Sequence, residues 1–394
     1  MDNQSLNLEL IKASELGSTS IIRKLLIDGA SVVFKDEAGR TALMAATQKN
    51  QVAAVKILIE AGSDANTRDV TQLSPFICSA ANGFYEITRL MINNGAELSS
   101  VNRFGGTALL PSSEKGYLKT VQVCLDAGVP VNHVNNLGWS ALLESVILGN
   151  GGRLYADIIQ TLVDAGADVN LVDRDGISSL QHAKKLHQQK VVQILLKEWE
   201  ETNQFINNAK SFAQIDNYED AILEMDKALE TSDNQQSDYI YYKGYFLQEL
   251  KQYEAALEQY KKALSINPDD LDFYFYTANC LRLWKKPEEA IAEYDKACDL
   301  DPNETFYRYH KSNYLRELGR HEEAVAEMDK LLALQPNRYD FSFHKANSLR
   351  SLGKHEEAIE AIENAIANDP ENPLYHLHKE QSLELIEKEK KAKY

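Results

Sequence analysis

The chain has 394 residues, 44% of them apolar, and a formal net charge of −17. This length and apolar content are sufficient for two or three domains with buried cores. The acidity belongs to the second half, because residues 199–394 hold 39 acidic and 24 basic side chains while residues 1–198 are nearly balanced. An acidic surface repels nucleic acid and anionic lipid, so the composition argues against nucleic acid and membranes as partners.

The amino terminus and the cysteines indicate a soluble, reducing setting. Residues 1–5 lack the basic start of a signal peptide, and no apolar run approaches the roughly 20 residues of a membrane span. The four cysteines are scattered without a C-x-x-C pair and are Cys78, Cys124, Cys280 and Cys298. We therefore expect a cytoplasmic protein with free thiols, although a mature secreted form would look similar.

Residues 1–198 repeat with a period of 33. The residues that open a turn are Asp36, Asp69, Asn102 and Asn135, and each is followed by a Thr- or Ser-led block such as Thr41-Ala42-Leu43. A helix, a loop and a second helix follow, and the second helix ends at a glycine such as Gly29, Gly62 or Gly95. The hydroxyl predicts a helix cap and the glycine a left-handed stop.

This pattern resembles the ankyrin repeat over residues 1–200, with about six units of which the first and last are atypical. The histidine that the family places after the Thr-led block is absent. The resemblance implies a stack of helix pairs joined by turns, and a surface that binds a folded protein partner.

One unit is longer than the others, because Asp173 follows Asn135 by 38 residues. The excess falls at residues 149–153, where it lengthens a surface loop. Apolar residues gather near this loop, and we expect them to form a partner-binding patch made of Phe104, Leu137, Trp139, Ile147 and Leu148. The alternative is that they cover the inserted loop from within.

Residues 201–394 repeat with a period of 34. The copies align at Ala278, Ser312 and Ala346, continue through an acidic pair and an alanine, and close on Pro302, Pro336 and Pro370. This pattern resembles the tetratricopeptide repeat, with about five units followed by a carboxy-terminal capping helix. The expected fold is therefore all-α, a tandem helical solenoid.

The first helix of each 34-residue unit has two faces. The resemblance places one of them in a concave groove, where aromatic, asparagine and arginine side chains offer contacts to a bound peptide. These groove residues are Tyr241, Phe275, Asn279, Arg282, Tyr309, Asn313, Arg316, Phe343, Asn347 and Arg350. The alternative is that asparagine is common at this position of the repeat without any ligand and that the repetition reflects duplication. The lysine clamp of chaperone-binding relatives does not match, since aromatic residues occupy its positions.

Metal binding and catalysis are not expected. His310, His344 and His378 are spaced by 34, so each is a copy of one repeat position and lies about 10 Å from the next, too far to share a zinc ion. No nucleophile elbow, phosphate-binding glycine loop or H-E-x-x-H motif is present. We predict no cofactor and no enzymatic activity.

The junction between the arrays lacks glycine and proline from residue 177 to 243. We expect the arrays to pack directly, with Trp199 and Phe205 in the seam, rather than to swing on a linker.

The predicted function is that of a scaffold or adaptor that binds other proteins or peptides on two surfaces. The alternatives are a regulatory subunit or inhibitor of an enzyme, and an effector secreted into a host cell. The pattern does not determine the oligomeric state.

Overall fold

The computed structural model describes residues 3–197, 204–231, 236–368, 370 and 373–392. Within these ranges it contains 23 helices and no strand, apart from two isolated backbone bridges, Val134 to Ser140 and Val172 to Ser178. The chain divides into two compact units, residues 1–198 and 199–394, which we call the first and second arrays. Trp199, one of the two residues of the predicted seam, lies outside the described residues.

The first array is a series of six helix pairs. They are α1 (Asn3–Glu15) and α2 (Thr19–Ile27), α3 (Ala42–Gln48) and α4 (Val52–Glu60), α5 (Pro75–Ala81) and α6 (Tyr85–Asn93), α7 (Leu109–Glu114) and α8 (Leu118–Asp126), α9 (Ala141–Ile147) and α10 (Arg153–Asp164), and α11 (Ser179–Lys185) and α12 (Gln189–Leu195). Each first helix contacts the first helix of the next pair, and each second helix contacts the next second helix. The core therefore runs continuously along the array.

The residues spaced by 33 build the turns, as the sequence predicts. In each unit the side-chain oxygen Oδ1 of the Asp or Asn accepts hydrogen bonds from the backbone N–H groups two and four residues later. For Asn135 the donors are Leu137, at 2.8 Å, and Trp139, at 3.0 Å. The same bonds occur at Asp36, Asp69, Asn102 and Asp173.

The predicted helix caps are also present. The hydroxyl groups of Thr41, Ser74, Ser140 and Ser178 each accept from the backbone N–H three residues later. The exception is the unit of α7, where Ala108 precedes the helix in a helical conformation and provides no side-chain cap. The glycines after the second helices have positive φ, for example Gly29 at 93°.

The second array continues with eleven helices. They are α13 (Gln204–Gln214), α14 (Tyr218–Leu229), α15 (Gln236–Glu249), α16 (Tyr253–Ile266), α17 (Leu271–Leu283), α18 (Pro287–Leu300), α19 (Thr305–Glu317), α20 (His321–Leu334), α21 (Tyr339–Ser351), α22 (His355–Asn368) and α23 (Pro373–Ala392). Each helix from α13 to α22 contacts the one that follows it.

Small residues and ion pairs hold these helices together. Gly244 of α15 lies against α16 so closely that a Cβ atom would come within 2.5 Å of the Tyr260 ring. At three successive joints a lysine of a first helix pairs with a carboxylate of the preceding second helix. These pairs are Lys311–Asp295 (2.6 Å), Lys345–Asp329 (2.6 Å) and Lys379–Glu363 (2.7 Å). Lys243 and Asp226 form the corresponding pair earlier in the array.

Candidate binding surfaces

The apolar patch predicted on the first array is wrong at two of its five positions. Trp139 and Leu148 are buried, with 4% and 7% of their surface exposed. Trp139 is buried because the Asn135 turn returns the chain directly into α9, whose residues from Ala141 to Val146 are all buried. Leu148 ends that helix, where its N–H donates to the carbonyl of Glu144. Neither side chain is available to a partner.

The inserted loop is held in place by residues of the next unit. Gln188, itself buried, donates through Nε2 to the carbonyl oxygens of Val146 (3.1 Å) and Gly149 (2.9 Å). A Cβ atom at Gly149 would come within 2.2 Å of the Ser145 carbonyl oxygen, so only glycine fits there. The insertion is therefore packed onto the array.

Three valines that lie outside the predicted patch are exposed on the turns. Val70, Val134 and Val172 are 65%, 41% and 50% exposed. Phe104 and Leu137, from the predicted patch, are partly exposed on the same series of turns, and Ile147 is partly exposed at the end of α9. We call Val70, Phe104, Val134, Leu137 and Val172 the turn-tip surface. Their position beside the 33-spaced Asp and Asn residues was the available signal.

Neighbouring turns of this surface are bonded to one another. The N–H of Asn136 donates to the carbonyl oxygen of Phe104 at 3.0 Å, and the Arg68 guanidinium donates to the Val101 carbonyl oxygen at 2.8 Å. The Arg103 guanidinium lies 4.7 Å from the centroid of the Phe104 ring. The tips are thus fixed relative to each other, which lowers the entropic cost of binding a partner.

A buried carboxyl group, that of Glu144 in α9, lies beneath the Asn135 turn. Glu144 Oε1 accepts from Asn135 Nδ2 at 2.7 Å, while its Oε2 is buried without a hydrogen-bond partner. Burial raises the pKa of Glu144 well above its usual value, and the charge of Glu114 raises the pKa further. The raised pKa favours the neutral form of Glu144, which lies in the interior of the array.

The aromatic residues predicted to line the groove of the second array are buried. Tyr241, Phe275, Tyr309 and Phe343 are each at most 2% exposed. Each contacts the ring found 35 residues later, on the first helix of the next repeat. The centroid distances are 4.7 Å for Tyr241–Tyr276, 5.1 Å for Phe275–His310, 5.8 Å for Tyr309–His344 and 5.0 Å for Phe343–His378. We call this series the aromatic ladder, and it packs the repeats together.

The asparagines of the predicted groove differ from one another. Asn279 is partly exposed, and its Oδ1 accepts from the Tyr294 hydroxyl at 3.1 Å. Asn313 and Asn347 are only 7% exposed, and the Nδ2 of each is buried without a hydrogen-bond partner. The expectation that all three asparagines offer contacts in an open groove is therefore wrong for Asn313 and Asn347. A peptide backbone reaches the last two only if the neighbouring side chains move.

The arginines of the predicted groove remain partly exposed. We call Arg282, Arg316 and Arg350 the arginine column. Arg282 pairs with Glu317 of the next repeat at 3.2 Å. Arg316 donates to His344 Nδ1 and Arg350 donates to His378 Nδ1, each at 2.8 Å. The column and Asn279 are the parts of the predicted groove that the structure leaves partly exposed.

The described residues contain no group of three or more His, Cys, Asp and Glu residues placed to hold a metal ion. All four cysteines are free and buried. Burial raises the pKa of Cys78, Cys124 and Cys280 to about 12 and that of Cys298 to about 11. Such thiols are poor nucleophiles near neutral pH. In the described part of the chain, none of the helices has the length and apolarity needed to span a membrane.

Comparisons with known families match the two arrays separately. A family model described as ankyrin repeats (three copies) matches residues 9–69 and 76–173. A tetratricopeptide repeat model matches residues 243–305 and 309–373.

Individual relatives match the first array. Over 106 residues, or 27% of the chain, the sequence is 33% identical to the Escherichia coli K12 ankyrin repeat protein YahD. Over 72 residues, or 18% of the chain, it is 35% identical to protein phosphatase 1 regulatory subunit 12A of Mus musculus. The chain spans 53% of the first relative and 7% of the second. A crystal structure of an ankyrin repeat domain from Acinetobacter baumannii AYE is 45% identical, with a TM-score of 0.47, over 48% of this chain and 97% of that domain.

Proposed function

We propose that this chain, which carries ankyrin repeats in its N-terminal region and tetratricopeptide repeats in its C-terminal region, is a non-catalytic adaptor that holds a protein partner on each array. Both repeat families generally serve as protein-interaction modules and generally lack catalysis, and they present extended surfaces made of many repeats. Two such arrays in one chain provide two separate surfaces.

The observation that carries the proposal is the turn-tip surface of the first array. Single exposed apolar side chains are common on soluble proteins, but Val70, Val134 and Val172 lie on a series of turns that also bears Phe104 and Leu137. The turns are bonded to one another, so this apolar area is already ordered before binding. A folded partner with a complementary apolar patch gains contact area here without reordering the array.

The second array offers a different chemistry. Its partly exposed groove residues are Asn279 and the arginine column, which supply amide and guanidinium donors instead of apolar area. Donors repeated every 34 residues suit an extended chain that crosses several repeats. The second partner is therefore proposed to be a peptide segment.

The proposal is tested by capturing partners from cells with the full chain and with one variant for each array. The first variant carries Val134→Asp and Val172→Asp, and the second carries Arg282→Gln and Arg316→Gln. Each is expected to lose a different partner, as identified by mass spectrometry.

The matched controls place similar chemical changes elsewhere on the surface. Ile27→Asp lies at the exposed end of α2, and Lys262→Gln lies on an exposed position of α16. Both controls are expected to retain every partner. The adaptor proposal is wrong if the two test variants lose the same partners or lose none.

A further inference from the structure

The three arginines of the column contact different kinds of residue on the next repeat. We call each contact between an arginine and the next repeat a joint. At the first joint Arg282 pairs with a carboxylate, that of Glu317, which lies 35 residues later on the first helix of the next repeat. The residues at the corresponding positions of the next two joints are Ser351 and Leu385, which carry no charge. The carboxylate present at the first joint is therefore not repeated at the other two.

Histidine nitrogens accept hydrogen bonds from the other two arginines. Arg316 donates to His344 Nδ1 and Arg350 donates to His378 Nδ1, both at 2.8 Å. Arg350 also donates to Gln381 Oε1 at 2.7 Å. Burial lowers the pKa of Arg350, because it disfavours the charged guanidinium.

These bonds define the protonation state of the two histidines. A guanidinium only donates, so the Nδ1 atom that faces it must carry a lone pair, and the imidazole is then neutral. A protonated ring has N–H groups at both nitrogens, cannot accept from the arginine and repels its charge. A ligand carboxylate that lies between the arginine and the histidine favours the protonated ring instead, because the carboxylate accepts hydrogen bonds from both side chains.

Hydroxyl and guanidinium groups lie against the two rings. Tyr309 and Arg316 of α19 face His344, with the Tyr309 hydroxyl 3.4 Å from Nε2, and Arg350 of α21 faces His378. His321 of α20 lies close enough to Arg316 for the guanidinium to lower its pKa, after the larger effect of burial. On the side of α22 and α23, Glu363 already pairs with Lys379 at 2.7 Å.

We propose that the second array binds an extended acidic peptide whose carboxylates reach Arg316 and Arg350, and that His344 and His378 take up protons as it binds. This inference rests on the proposed function of the second array and names its ligand class and its regulation. Binding therefore strengthens on mild acidification, through the range near pH 6.5 in which histidine ordinarily titrates. His344 is partly exposed whereas His378 is 2% exposed, so the joint of His344 contributes more.

The spacing of the repeats gives the spacing of the carboxylates. Stacked helices lie about 10 Å apart, and an extended peptide rises about 3.3 Å per residue, so acidic residues at every third position match successive arginines. The net negative charge of the array does not prevent this contact. Its acidic pairs, such as Glu322 and Glu323, are exposed at the starts of second helices, and salt screens charges beyond about 8–10 Å.

The experiment measures the affinity of a fluorescent twelve-residue peptide with glutamate at every third position, at pH 7.5 and pH 5.5 and constant ionic strength. The wild-type chain is expected to bind this peptide about tenfold more tightly at pH 5.5. A peptide with glutamine in place of glutamate is expected to bind weakly at both pH values. Titration calorimetry in two buffers of different ionisation enthalpy is expected to show proton uptake.

The variants His344→Asn and His378→Asn separate proton uptake from simple attraction. The asparagine amide oxygen takes the place of Nδ1 and accepts from arginine, but it does not titrate. The double variant is expected to remain folded by circular dichroism and to lose the pH dependence, and His344→Asn alone to lose most of it. The control His376→Asn alters an exposed histidine of α23 whose ring contacts the Pro370 carbonyl, and it is expected to keep the dependence.

This inference is overturned by equal affinity at both pH values, by equal affinity for the glutamine peptide, or by a pH dependence that survives in the double variant. Absence of binding to either peptide also overturns the inference. If the second array then still captures its cellular partner through Arg282 and Arg316, the adaptor function stands without the acidic-peptide inference.

Discussion

Phe275 and His310 lie 35 residues apart in the sequence, and their ring centroids are 5.1 Å apart with an interplanar angle of 67°. This edge-on arrangement is favourable for aromatic rings and joins the first helices of two successive repeats. The same pairing recurs along the aromatic ladder, so the aromatic residues that the sequence places in an open groove are covered by the next repeat.

The aromatic ladder predicts a stability effect at Phe275. Phe275→Ala is expected to lower the free energy of unfolding of the second array by about 3–5 kcal/mol, because it opens a cavity between repeats. Hydrogen exchange read by mass spectrometry reports this loss within α17 to α19. The control is Leu377→Ala, at the same repeat position in α23, where the side chain is 46% exposed and the expected loss is below about 1 kcal/mol. Equal effects of the two variants contradict the ladder.

Replacement of Trp139 is expected to impair folding of the first array instead of partner binding. Because its side chain is buried, Trp139→Ala is expected to destabilise the first array by about 3–5 kcal/mol. Urea unfolding followed by circular dichroism measures the change. Val134→Ala, five residues earlier and 41% exposed, serves as the control and is expected to change stability by less than about 0.5 kcal/mol. A stable Trp139→Ala chain with impaired partner binding restores the original patch.

Glu144 predicts that the first array loses stability as pH rises. Burial raises its pKa in the folded state, so above the ordinary carboxyl value of about 4.3 the unfolded chain releases a proton that the folded chain retains. Glu144→Gln removes this penalty, and we expect a higher melting temperature at pH 8 and a flatter profile between pH 5 and 8. Glu60→Gln, an exposed change on α4, is expected to leave the profile unaltered. A lower melting temperature for Glu144→Gln at pH 8 contradicts the assignment.

Glu327 is expected to give the second array the opposite pH dependence, with stability lost as pH falls. Burial alone would raise its pKa, but hydrogen bonds from Lys311, Lys330 and Arg308 hold the pKa at about 2. A lowered folded-state pKa contributes stability that is present above the ordinary carboxyl value and is lost as pH falls toward 2.

The matching variant is Glu327→Gln. It leaves the buried Arg308 without its carboxylate partner and is expected to cost about 3–5 kcal/mol at pH 7, with a smaller cost at pH 3. Thermal unfolding at both pH values measures this difference. An equal cost at pH 7 and pH 3 indicates that packing, not charge, explains the effect.

The sequence predicts the fold well because its strongest signals are local. The turn of Asn135 depends on bonds to residues two and four positions later, and the cap of Ser140 depends on a bond three positions later. A period of 33 or 34 residues repeats these local contacts, so the helix pairs and turns follow from the pattern. The families matched over residues 9–173 and 243–373 are those that the pattern indicates.

The exposed residues of the candidate surfaces are harder to predict, because the burial of a side chain depends on residues that are distant in the sequence. Helix geometry places Phe275 and Asn279 on one face, but it does not show that residues of the next repeat cover Phe275 and leave Asn279 partly exposed. The same reason applies to Trp139, since its position on a turn suggests exposure while its side chain is buried in the structure. Val134 and Val172 are exposed, but single valines do not stand out in the sequence as aromatic residues do.

The adaptor function is tested most directly by the stoichiometry of a complex reconstituted from purified components. The partners lost by the turn-tip variant and by the arginine variant are mixed with the full chain, and native mass spectrometry records the assemblies. We predict a single complex with one copy of each partner, and two-component complexes when either variant replaces the chain. Mutual exclusion of the two partners, with only two-component complexes formed by the unaltered chain, would contradict the account.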